Sequence, residues 1–391
     1  MTFNWPVYSE KEICDVKETL ESGNVNYWTG KKCREFEREF ALFTGSKFAI
    51  SLANGSLALD LSLRALGIKK GDEVIVTSRT YIATVSSIVN IGAKPVFVDV
   101  DIDTQNIDVS QIESSITDKT KLILCVHLAG WPCDMDEIMN IATKNNLFVL
   151  EDCAQAHGAK YKGRSVGSIG HIGAWSFCQD KIISTGGEGG MVTTNDRKLW
   201  KKMWSFKDHG KSYDLMHEEY DTKSFRWVHS SFGSNYRMTE IQAVIGIHQL
   251  KKINKWNKIR RENLLKIYSA IENLSIVRIP KMKCGSCNGG CNHSCNHAAY
   301  KCYVFIRGNE KLRDKILLEI NESGVPCFAG TCSEVYLESA FDSKDFRPKE
   351  RLSNARKLGE TSLMFLIHPT LSEADLLKTC QVIKEVIVKN T

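Results

Sequence analysis

The run Phe148-Val149-Leu150-Glu151-Asp152-Cys153-Ala154-Gln155-Ala156-His157-Gly158 decides how this chain is read. It opens on apolar residues and closes its first half on an acid, Asp152. A short, nearly continuous apolar run reads as a strand covered on both faces, the usual state of a strand in a parallel sheet. In open parallel sheets, ligands sit beyond the C-terminal ends of the strands. Asp152 therefore stands where a ligand would be met. A carboxylate buried at such an edge must be paired or it neutralises. A protonated ring nitrogen of a heterocyclic cofactor is one suitable partner; the plainer alternative for Asp152 is a helix cap.

Outward from this strand the same alternation continues. Candidate strands cover 73–77, 95–100, 122–128, 148–151, 174–177 and 191–194, and candidate helices 56–66, 81–91, 134–144 and 197–205. Alternating β and α segments imply a mostly parallel sheet with helices on both faces. The first thirty residues mix turn formers and aromatics and read as an arm. Residues 239–272 read as one or two long helices, with Ile241, Val244, Ile245 and His248 on one face. Beyond Asn273 a polar loop, a strand at 302–307, a helix at 311–323, a short strand at 325–328 and two more helices suggest a smaller α+β domain. The expected architecture is α/β: an N-terminal arm and large domain over 1–250, then a linking helix and small C-terminal α+β domain over 251–391.

Composition narrows the function classes. The chain has 391 residues, 42% of them hydrophobic and 25% charged, which excludes a largely disordered protein. Its 52 Lys+Arg against 46 Asp+Glu leave a net charge of +6. That excess is too mild and dispersed to imply nucleic acid or an anionic membrane as a partner. No run of about 18 apolar residues exists to span a bilayer. Residues 1–10 lack a basic-then-apolar signal pattern, so the expected location is cytoplasmic. Gly186-Gly187-Glu188-Gly189-Gly190 does not fit the dinucleotide fingerprint, and the chain has neither a phosphate loop nor a nucleophile elbow.

A second segment supplies the partner chemistry. Ala174-Trp175-Ser176-Phe177-Cys178-Gln179-Asp180-Lys181 leads into Ile182-Ile183-Ser184-Thr185 and the glycines just quoted. Glycines let backbone approach a ligand closely. A lysine in an apolar, glycine-lined pocket loses solvation, its pKa falls, and it becomes a usable nucleophile. Lysine plus aspartate is the pair that pyridoxal phosphate (PLP) needs: the amine forms the Schiff base and the acid keeps the pyridinium protonated.

Five ordered segments together resemble the DegT-like sugar aminotransferases, fold-type-I PLP enzymes acting on nucleotide-linked keto-sugars. They are Asn54-Gly55-Ser56, the 149–158 run, Ser176 to Lys181, Thr185 to Gly190, and Gly233-Ser234-Asn235-Tyr236-Arg237-Met238. The resemblance implies that Lys181 is the Schiff-base lysine and proton shuttle, and Asp152 the partner of the ring nitrogen. It implies that Gln155 lies beside the phenolic oxygen and that Tyr81 stacks on the ring. Gly55 and Ser56, opening a helix, would hold the phosphate with their amides, helped by the Ser176 hydroxyl and by Asn235 of a neighbouring subunit. Arg237 would meet the substrate diphosphate, and His127 would lie near cofactor and substrate. Several have a plainer alternative, and for Lys181 it is a surface loop lysine. Tyr81 and Ser56 could cap their helices, Asn235 could be a turn residue, His127 a structural strand histidine and Arg237 half of a surface ion pair.

The resemblance further implies glutamate as amino donor, a nucleotide-sugar acceptor aminated at C4 of a 4-keto-6-deoxyhexose, a role in polysaccharide synthesis, and a homodimer sharing its active sites. Two rivals are a PLP-fold sugar dehydratase, which would replace Lys181, and a non-enzymatic sensor or metal-binding regulator on the same scaffold. The latter would use the loop carrying Cys284, Cys287, Cys291 and Cys295, which has the ligand types of a zinc site and a spacing that also suits an iron–sulfur cluster. The resemblance requires no metal there, and none is assigned. The remaining cysteines among the fourteen read as small core hydrophobes or free thiols of a reducing compartment.

Overall fold

The structure, a computed structural model, describes residues 4–218, 225–281, 295–342 and 345–391. The first helices are α1 (Glu10–Glu21) and α2 (Lys32–Thr44). Then come β1 (Phe48–Leu52), α3 (Gly55–Ala65), β2 (Glu73–Thr77), α4 (Ile82–Asn90), β3 (Lys94–Val98), β4 (Thr120–Val126), α5 (Met135–Lys144) and β5 (Phe148–Asp152). A small hairpin of β6 (Lys160–Tyr161) and β7 (Arg164–Ser165) precedes β8 (Ile172–Ser176) and β9 (Gly190–Thr194). The large domain closes with α6 (Arg197–Lys207), α7 (Tyr213–His217) and α8 (Glu240–Ile271).

Seven strands form one sheet in the order β1-β9-β8-β5-β4-β2-β3. β9 runs antiparallel to both neighbours and the other pairings are parallel, as the alternating sequence predicts. Successive residues of β4 show why its run is apolar throughout. Leu122, Leu124 and Val126 pack in a core with α3 residues Leu59 and Leu63, whereas Ile123 and Cys125 pack in another with α5 residues Met135 and Ile138. Two-residue periodicity sends alternate side chains to opposite faces, and each face meets its own layer of helices. Burying each such side chain contributes roughly 1.5–3 kcal/mol.

A second sheet, β10 (Val277–Arg278), β11 (Cys302–Ile306), β13 (Ser362–Phe365) and β12 (Cys327–Phe328) in spatial order, is wholly antiparallel. It is joined by α9 (Glu310–Glu322), α10 (Ser353–Thr361) and α11 (Glu373–Lys389). The single helix α8 joins the two parts, so the expected division at 250/251 falls inside it. No helix among the described residues is long and apolar enough to cross a membrane.

The first thirty residues are not simply an arm. Ser9 and Glu12 make a capping box that starts α1, a signal the mixed composition hides. Glu12 is buried against α8, where it accepts a hydrogen bond from Gln249 at 2.7 Å and pairs with Lys252. Ahead of the helix, Trp5 meets Trp256 edge-on at 5.0 Å and lies over His368 at 6.2 Å.

Candidate active site

The C-terminal ends of β5 and β8, the start of α3 and the approach to β11 enclose a cavity of about 980 Å³. Asp152, Lys181, Gln155, Ser176, Gly55, Ser56 and Tyr81 all line it. Asp152 is the last residue of β5 and is buried. Its carboxylate accepts the Thr84 hydroxyl at 2.8 Å and the Ala154 amide at 3.1 Å. Burial pushes this carboxyl above the usual range, and those hydrogen bonds and the Lys181 charge only partly offset it. A cation delivered into the cavity would favour the ionised form.

Lys181 lies in the loop between β8 and β9. Its carbonyl accepts the Trp5 indole N–H at 2.8 Å, and its Nζ stands 5.1 Å from the centre of the Tyr300 ring. The Gln155 side-chain oxygen accepts the Ala129 amide at 2.7 Å, which leaves its NH₂ as a donor for the cavity. Tyr81 immediately precedes α4 and keeps 69% of its surface exposed, so its ring is open to stack on a ligand.

The phosphate-sized corner is built by exclusion of side chains. At Gly55 a methyl would stand 2.6 Å from the Ser176 Cβ, and at Gly190 one would stand 2.2 Å from the Asn54 carbonyl oxygen. Asn54 caps α3 by accepting the Leu57 amide at 3.0 Å. The Gly55 and Ser56 amides are first-turn donors with no partner earlier in the helix, and they carry the positive end of its dipole. Together with the Ser176 hydroxyl they form an anion cradle. Beside it stands the buried acid, and the amine lines the same cavity: the residues present fit PLP.

Three sequence candidates lie elsewhere. His127 is fully buried and absent from the cavity wall. Its Nδ1 accepts the Cys133 amide at 3.0 Å, which places the proton on Nε2, 3.0 Å from Glu151. Both of its nitrogens are engaged within the chain, away from the cavity wall. It forms a compact trio with Glu151 and Cys153. The Glu151 oxygens, however, already accept the Gly167, Ile169 and Gly170 amides at 2.6–2.9 Å, so they serve the loop before β8. Arg237 is held by the buried Asp208 at 2.5 Å, and Asn235 is exposed; neither lines the cavity of its own subunit. Of the cysteine loop, Cys284, Cys287 and Cys291 lie outside the described residues. Cys295 is half-buried, its sulfur accepting the Lys162 amide at 3.1 Å.

Sequence reasoning missed Thr84, Asp180, Tyr300 and Lys301. The Tyr300 hydroxyl donates to Asp180, closing the cavity from the small-domain side. Thr84 had a legible cue, a hydroxyl three residues into the helix that follows a strand end. Tyr300 and Lys301 had none, since only the folded chain brings a segment so distant beside Lys181.

Comparison with known proteins agrees with this geometry. The model of the DegT/DnrJ/EryC1/StrS aminotransferase family matches residues 6–384. A GDP-perosamine synthase of Escherichia coli O157:H7 is 45% identical over 276 residues, 71% of this chain and 72% of that one. The X-ray structure of an aminotransferase from Psychrobacter cryohalolentis superposes with a TM-score of 0.95 at 55% identity, covering 99% of this chain and 98% of the other. The PLP form of a Streptococcus pneumoniae sugar aminotransferase gives a TM-score of 0.87 at 26% identity, over 100% and 99% of the two chains. The chain belongs to the DegT/DnrJ/EryC1/StrS aminotransferase family.

Proposed function

We propose that this chain is a PLP-dependent transaminase that moves an amino group from glutamate to C4 of a nucleotide-linked 4-keto-6-deoxyhexose, working as a homodimer. The observation that carries the reading is the shared cavity of Lys181 and Asp152, with the open amides of α3 at its wall. Its kinship with sugar aminotransferases supports a sugar acceptor, and the resemblance of Thr185 to Gly190 to relatives acting at C4 supports the position.

PLP, when bound, supplies an electron-accepting ring that carries nitrogen between the two substrates. The Lys181 ε-amine would hold that group and would also take and return the proton at the reacting carbon. Asp152 pairs with the ring nitrogen. Its carboxylate is oriented for this by Thr84 and Ala154. Gln155, fixed by Ala129, donates its NH₂ to the phenolic oxygen. The Gly55 and Ser56 amides and the Ser176 hydroxyl would hold the phosphate, and Tyr81 would stack on the ring. Asn235, exposed on its own subunit, would reach the phosphate of the neighbour.

The test is a pair of half-reactions. Protein reconstituted with PLP should show a visible absorbance band that L-glutamate bleaches and a nucleotide-linked 4-keto-6-deoxyhexose restores. Lys181→Ala should abolish the band. Absence of any band after reconstitution of the wild-type chain sinks the reading.

A further inference from the structure

The cavity holds a second amine. Lys301, just before β11, lines it together with Lys181. The two amines flank one ring: Lys301 Nζ lies 4.6 Å from the Tyr300 centroid and Lys181 Nζ 5.1 Å. The Lys301 side chain is only 16% exposed. Its nearest carboxylate oxygen, Asp180 Oδ2, is 3.7 Å away, too far for a hydrogen bond, and that oxygen already accepts the Tyr300 hydroxyl. A largely buried ammonium whose one carboxylate partner stands at 3.7 Å carries a desolvation cost that a bound anion would further offset. Among the described residues lining this cavity, the cationic side chains are Lys181 and Lys301, and the acidic ones Asp152, Asp180 and Glu188. An amino acid entering here must bring its carboxylates out of water, and Lys181 is committed to the cofactor.

We propose that Lys301 is the residue that receives a carboxylate of the amino-acid donor. This rests on the transaminase reading above and adds the donor's binding group to it. The Tyr300 ring packs against the ammonium, and Asp180, held by the Tyr300 hydroxyl, favours its charged form. Burial lowers Lys301 to about 8; Asp180 opposes this, while Arg260 and Lys181 push further down. His368 and His297, lowered by burial to about 4 and about 3, stay neutral through this range, the Tyr300 and Tyr268 phenols, raised by burial, stay protonated, and Arg261 stays charged. The attraction is therefore present below about 8 and is lost as pH rises through that value and the amine loses its charge.

The probe is glutarate, a dicarboxylate with no amine to transfer, titrated into PLP-loaded protein and followed by tryptophan fluorescence. Lys301→Met should weaken its binding by about tenfold or more, and Lys301→Arg should restore affinity to within about threefold of wild type. Wild-type affinity should fall as pH rises through about 8, with no such fall in Lys301→Met. Equal glutarate affinity in wild type and Lys301→Met, or no pH dependence in wild type, overturns the proposal. Should Lys301→Met fail to fold, the wild-type pH titration and Lys301→Arg still decide it. Failure of the transaminase reading would show separately, as a missing visible band or one that L-glutamate leaves unchanged.

Discussion

Gly55 shows how much one hydrogen atom can decide. It opens α3 against Ser176, and an added methyl would stand 2.6 Å from that residue's Cβ. Gly55→Ala must push the helix start away from β8 and spoil the phosphate cradle, while the helix itself survives. We expect PLP affinity to fall about tenfold or more, roughly 1.4 kcal/mol, measured by reconstitution of apoprotein. Unchanged affinity would show that the cradle does not hold the phosphate. Residue-level legibility follows from where information sits. Asp152, Lys181, Gln155 and Ser176 carry local motifs, so the sequence places them and the structure brings them to one cavity. His127 sits in an equally suggestive strand-end motif, yet its ring turns inward to Glu151. Strand periodicity gives the face of a side chain but not which buried partner claims it.

At the level of elements, β2, β3, β4, β5, β8 and β9 were readable from short runs rich in apolar and β-branched residues. α2 was not, since it mixes aromatics and charges that separate into core and solvent faces only in the folded chain, and the five-residue β1 directly after it went unread with it. The segment ahead of α1 has a consequence for the site. Trp5 gives its indole N–H to the Lys181 carbonyl, lies against α8 through Trp256 and reaches the small domain through His368. The Arg260 guanidinium covers its ring at 4.7 Å. Trp5→Phe keeps a ring but loses the hydrogen bond, so urea denaturation should register a loss of about 1 kcal/mol. Trp5→Ala also empties the packed site and should cost about 3 kcal/mol. No loss in Trp5→Phe would mean that the indole N–H contributes nothing.

At the scale of the whole molecule, Asn235 lies on an exposed stretch of surface. Phe232 is fully exposed and Trp227 is 82% exposed. Large exposed apolar groups of this kind mark association surfaces. If Asn235 completes a neighbour's site, two separately inactive variants should rescue each other. Mixing Lys181→Ala with Asn235→Ala and allowing subunit exchange should restore about a quarter of wild-type turnover, because half the dimers are mixed and each has one intact site. No recovery on mixing, or full turnover by Asn235→Ala alone, would place the whole site within one chain. Glycine-to-backbone crowding at positions 55 and 190 also has a practical consequence for anyone redesigning this catalyst. The start of α3 leaves no room for an added side chain at Gly55 and offers directed evolution almost no tolerated diversity there. The opposite wall, where the Phe328 side chain and the Thr331 and Cys332 loop border the cavity, is partly open to solvent. Randomised libraries seeking new acceptor sugars should be concentrated there.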